Sequence, residues 1–110
     1  MSEYYRRDGT KYEGPDVVLQ WARDFERHDL KIVQQTDLPN GLWVSTVWLG
    51  MDHGWGDGPP LIFETMVFPS KSRRDEMDME RYSTEAEARE GHKRMCDQWA
   101  SFSGERLEKP

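Results

Sequence analysis

Between residues 41 and 69 the chain has no lysine and no arginine, yet it holds three of its five tryptophans. Asp52, Asp57 and Glu64 are the only charged groups there, whereas both flanks carry mixed basic and acidic side chains. A stretch that apolar has to be interior, and the flanks have to be the solvated elements around it. The flanks have little apolar material to offer. Hydrophobic residues make up 35% of the 110-residue chain and charged residues 33%, close to the border below which chains do not pack. Five Trp, four Tyr and four Phe therefore have to supply much of the buried area. The length fits one domain, expected over residues 1–102, with 103–110 a frayed tail.

Within the apolar stretch, Leu42–Gly50 and Leu61–Phe68 alternate β-branched and aromatic residues and read as the two strongest strands. Setting Trp48 opposite Phe63, Thr46 opposite Thr65 and Val44 opposite Val67 places like with like on one face. The other face then pairs Trp43 with Phe68 and Leu49 with Ile62. Leu30–Thr36 is expected as a partly exposed edge strand. Met77–Tyr82 is expected as a fourth, pairing Phe68 with Met77, Met66 with Met79 and Glu64 with Arg81. Lys71, Arg73 and Arg74 fall in the polar turn between these last two strands.

Upstream, Asp8-Gly9 has the chemistry of a two-residue hairpin turn and sets Tyr5 opposite Tyr12. Gly14-Pro15-Asp16 starts a helix, whose apolar stripe is Val17, Val18, Trp21, Ala22 and Phe25 and which ends near Arg27–Asp29. Thr84 with Glu87 forms a capping box for a second helix lined by Ala88, His92, Met95, Trp99 and Phe102. Gly91 inside it marks a close approach of its backbone to the sheet. The expected fold is α+β: an antiparallel sheet of about four strands, two helices on one face, and an N-terminal β-hairpin.

Three strings, Val44-Ser45-Thr46-Val47-Trp48-Leu49-Gly50 with Asp52-His53, Gly58-Pro59-Pro60-Leu61-Ile62-Phe63-Glu64-Thr65-Met66-Val67-Phe68, and Glu80-Arg81-Tyr82-Ser83-Thr84-Glu85, carry a resemblance. Over about Leu42 to His92 the chain resembles a group of small uncharacterised bacteriophage and prophage proteins, many from actinobacterial hosts. The group has no established activity, so the resemblance transfers no functional residue. It implies a phage-type accessory protein, in a bacterial host cytoplasm or attached to a virion.

The lone Cys96 excludes an internal disulfide and a Cys-rich zinc site, and late in a helix it lacks the setting of a reactive thiol. Ser45 has no nucleophile elbow around it. A net charge of −6 disfavours direct nucleic-acid binding and an anionic membrane. No apolar run has the length of a membrane span, and the N-terminus lacks a signal peptide's apolar core. The glycine-rich loop 52–60 leads into a strand and has no Lys, which argues against a phosphate cradle. Asp52 and Asp57 lack EF-hand spacing. Its Trp55 is an aromatic anchor for a partner protein, or a side chain folded back over the sheet.

His53, Glu64 and His92 would have to converge to form a metal-assisted hydrolytic site, and their spacing does not bring them together. The bland reading gives His92 a packed position with one hydrogen bond, and Glu64 a cross-strand pair with Arg81. The reading that follows is an interaction protein without a cofactor. It binds a host or viral protein, or itself as a homodimer, through the apolar sheet face and the loop, with Trp55, Asp52, His53, Asp57 and Trp43 as candidate contacts. The dimer face is expected to hold Trp43, Val47, Leu49, Met51, Ile62, Met66 and Phe68. The small metal-assisted hydrolase is the alternative.

Overall fold

The structure, a computed structural model, describes residues 3–54 and 56–102. The expectations for Trp55 and for the tail 103–110 lie outside the described residues. The chain runs as a hairpin over residues 4–12, then α1 (Val17–Phe25), the single turn α2 (His28–Lys31), β1 (Ile32–Asp37), β2 (Trp43–Trp48), β3 (Phe63–Phe68), β4 (Asp78–Tyr82) and α3 (Glu85–Trp99). The four strands form one antiparallel sheet in sequence order. The class is α+β, as the patterning requires.

Alternation within the central strands decides the register. Trp43 pairs with Phe68, Val44 with Val67, Thr46 with Thr65 and Trp48 with Phe63. Across the next ladder Glu64 pairs with Arg81 and Met66 with Met79. A slip of one residue would turn Val44, Trp48, Phe63 and Val67 away from the helix, so burial itself fixes this alignment. α3 lies across all four strands and buries Ala88, Gly91, His92 and Met95 against them. Its start has the expected box: Thr84 Oγ1 accepts from the Glu87 N–H at 3.1 Å, and the Glu87 carboxylate accepts from the Thr84 N–H at 3.1 Å. Its end is closed by Asn40, whose amide donates to the Trp99 and Phe102 carbonyls at 2.8 and 3.1 Å.

Gly91 confirms the close approach. A Cβ built there would sit 2.2 Å from the Tyr82 ring and hydroxyl, so only a glycine lets the helix settle at this depth. α1 packs beyond the strand ends, through Val17, Trp21 and Phe25, onto the core of Trp48, Phe63, Tyr12 and Tyr82. Trp21 stacks on Phe25 with centroids 5.0 Å apart and donates its indole N–H to the Leu49 carbonyl at 2.9 Å.

Three local expectations change. Tyr5 pairs with Lys11 instead of Tyr12. The turn holds three residues, Arg7-Asp8-Gly9, with Gly9 at φ +92° and the Gly9 N–H donating to the Arg6 carbonyl; Asp-Gly serves this turn as well as the shorter one. Val18, placed on the buried stripe, is 54% exposed, and its neighbour Leu19 is 65% exposed. α1 touches the core only along the narrower ridge of positions 17, 21 and 25. Leu30 and Lys31 belong to α2, not to β1.

Candidate interaction surface

One face of the sheet is sealed and the other is open. Beneath α3, Val44, Thr46, Trp48, Phe63, Thr65 and Val67 are buried to within 1%. The opposite face presents Trp43, Ser45, Val47, Glu64, Met66 and Phe68, with Met79 on the neighbouring strand. All of these except Met79 line a concavity of about 330 Å³ whose rim takes in His28, Lys31 and Arg74. The single turn α2 flanks it through His28 and Lys31; among the described residues neither α1 nor α3 lines it, nor does any residue of the 52–60 loop. The hairpin sits on the other side, packed against the core around Trp48.

The centre of this face is polar in an organised way. Glu64, only 6% exposed, accepts a hydrogen bond at Oε2 from Arg81 Nε at 3.0 Å. Gln35 donates its amide to Ser45 Oγ at 3.0 Å. Around these groups the Trp43 and Phe68 rings pack with centroids 5.5 Å apart. The rim cations lie on aromatic rings: the Arg74 guanidinium is 5.6 Å from the Trp43 centroid and the Lys31 ammonium 4.3 Å from the Phe25 centroid. Lys71 and Asp37 pair at 3.0 Å beside it. Trp43 is therefore the candidate contact that the fold places on this half-open apolar surface, together with Val47 and Met66, while Phe68 beside it is buried at 8% exposed. Ile62 leaves the expected dimer face: it is fully buried in the core around Trp48. Met51 is drawn into a bridge with Tyr4.

In the loop, Asp52 has a structural task. Its Oδ1 accepts from the Gly54 N–H at 2.8 Å and the Leu61 N–H at 2.9 Å, which closes the loop base. The His53 N–H donates to the Leu61 carbonyl at 3.0 Å. Asp57 is exposed.

The three residues of the hydrolase alternative do not meet. Glu64 is on the open face, His92 lies under α3 on the sealed one, and His53 follows the end of β2; the sheet itself separates the first two. Among the described residues no group of three His, Cys, Asp or Glu side chains is placed to hold a metal. His92 is 1% exposed and satisfied at both ring nitrogens, where one bond was expected. Nε2 meets Thr36 Oγ1 at 2.8 Å and Nδ1 meets Thr46 Oγ1 at 2.7 Å. The chain continues through Thr65 Oγ1, 2.5 Å from Thr46 Oγ1, to the Tyr82 hydroxyl at 3.0 Å. Burial, with a smaller push from Arg89, holds the His92 pKa below its ordinary value. Burial likewise raises the Cys96 thiol, the opposite of what a nucleophile needs.

Arg7 has a role that spacing does not reveal. Its Nε and Nη2 grip Glu85 at 2.7 and 3.0 Å, while Nη1 donates to the Leu30 and Ile32 carbonyls at 3.1 and 3.4 Å. Hairpin, α2, β1 and α3 are joined at this one guanidinium. It holds the Glu85 carboxyl down at about 2, with Arg89 assisting. No sequence signal marks the contact, because 78 residues separate its two ends. The His92 chain did leave one: two threonines paired on the face that a histidine-bearing helix stripe covers.

Comparison with known proteins brings no relative: no family model matches the chain, and neither a curated protein nor a solved structure matches it. No helix among the described residues is long and apolar enough to cross a membrane.

Proposed function

We propose that this is a small phage-type accessory protein that acts by binding another protein chain through the open face of its sheet. The partners are a host or viral protein and a second copy of itself, in a bacterial cytoplasm or on a virion. The observation that supports this is the contrast between the two sheet faces. An apolar face with two aromatic rings and a shielded carboxylate, flanked only by the single turn α2, is the composition of a protein interface, not of a solvated surface. The phage assignment rests on the resemblance of the strand strings alone. Blocking a nucleic-acid-binding host factor is one such role for an acidic chain, by analogy.

The test is site-specific photocrosslinking in bacterial lysate. A photoreactive residue at Met79, 40% exposed on the open face, is compared with one at Leu19, exposed on α1. Discrete protein adducts at position 79 but not at 19 support the reading. Equal adducts at both positions, or none at 79, contradict it.

A further inference from the structure

The open face carries one acid and one base side by side, Glu64 in the concavity and Arg81 next to it on the edge strand β4, and their mutual bond is incomplete. Arg81 binds Glu64 through Nε and Oε2 alone. Among the described residues, neither the two Nη groups of Arg81 nor Oε1 of Glu64 makes a further side-chain hydrogen bond on this face. Glu64, 8% exposed at its side chain, lines the concavity; Arg81, 31% exposed, lies just outside that lining, on the side of Ser83, Glu87, Glu90 and Arg94. The rim charges do not upset this balance, because Arg74 and Lys31 lie on the Trp43 and Phe25 rings and Lys71 is paired with Asp37. A charge pair of one plus and one minus at the β4 side of the face is complementary to itself. A two-fold axis brings each residue of such a patch against the other's counterpart, so an arginine on one copy meets a glutamate on the other.

We propose that the occupant of the open face is a second copy of this chain, held in register by reciprocal pairing of Arg81 with Glu64 across a two-fold axis. This rests on the reading of the open face as a protein-binding surface, and it names the partner. Each guanidinium then binds its own Glu64 through Nε and the opposite Glu64 through Nη. Met66 and Trp43 of the two copies pack beside a four-member charge network. A desolvated network of this kind selects the register of the two copies more than it adds affinity.

Charge reversal tests it. Glu64→Arg makes the centre doubly positive and Arg81→Glu makes it doubly negative. By sedimentation velocity at micromolar concentration the wild type is expected to be a dimer. Each variant alone should associate about 100-fold more weakly, and an equimolar mixture of the two should recover a dimer. Circular dichroism verifies that each variant is folded. Should Glu64→Arg fail to fold, mixed labelled and unlabelled wild-type chains give the answer by isotope-filtered NMR, with contacts expected from the Arg81 side chain to Met66 of the other copy. A monomeric wild type, a dimer indifferent to both reversals, a mixture that stays monomeric, or a dimer without those contacts overturns the proposal. Adducts at position 79 with a different protein, beside a monomeric wild type, would leave the protein-binding reading standing and remove only the self-pairing.

Discussion

The two faces of one sheet are built from adjacent residues of the same strands and have opposite fates. On β2, Trp48 points under α3 and α1, where Phe25 and Tyr5 meet it; Trp43, five residues earlier, points to the concavity and packs with Phe68 and Arg74. Polar groups divide the same way. On the sealed side, hydroxyls and an imidazole satisfy one another within the chain. On the open side, a carboxylate and a guanidinium satisfy one another only in part. A sealed face needs every partner inside the molecule; an open face that binds leaves valences for something outside it.

The largest test of this contrast is a pair of truncations. Trp48→Ala should cost about 3–5 kcal/mol in urea unfolding. Trp43→Ala should cost less than about half of that, because Trp43 keeps only part of its surface out of water. Equal losses would make the open face a second core and break the comparison. Next comes Gly91→Ala. In an exposed helix this change gains about 1 kcal/mol; here the new methyl meets Tyr82, and a net loss of about 1–3 kcal/mol is expected. A gain would mean that α3 sits further from the sheet.

The smallest effect is a pH slope. Burial lowers the folded pKa of His92 below the ordinary 6.5, so the unfolded chain takes up the proton first as pH falls. Stability should therefore be full above that value, decline as pH drops through it, and level off once the folded form is protonated as well. His92→Gln should flatten this slope, read as the urea midpoint at a series of pH values. Glu85 acts in a lower window: its pKa, depressed to about 2 from 4.5, adds stability above the ordinary value that is lost on further acidification. An unchanged slope in His92→Gln would remove the imidazole from the sealed network's energetics.

What the sequence displays of this division follows from which contacts are local or periodic. Strand register was legible, since Val44, Thr46 and Trp48 against Val67, Thr65 and Phe63 leave one alignment that buries them all. The capping box and the role of Gly91 were legible because each is written within a few residues. The hairpin was misread by one residue, as Asp-Gly is compatible with two turn lengths. Val18 was misplaced because the helical period says which side is apolar, not how wide a strip its neighbours cover. Glu64 with Arg81 was visible as a cross-strand pair, but the burial of Glu64 to 6% exposed was not, since no periodicity reports how far neighbouring side chains close over one position. Arg7 was invisible: nothing local announces a side chain that reaches three other elements.

The central claim is that the open face is surface built for binding and not core, and one substitution addresses it: Met66→Glu. A carboxylate in the middle of the concavity should leave the chain folded, with the circular dichroism of the wild type and a melting midpoint at low concentration shifted by no more than about 3 °C. The same variant should no longer associate in sedimentation velocity at concentrations where the wild type does. An unfolded Met66→Glu chain would show that this face is interior, and a folded chain that associates as before would show that binding happens elsewhere.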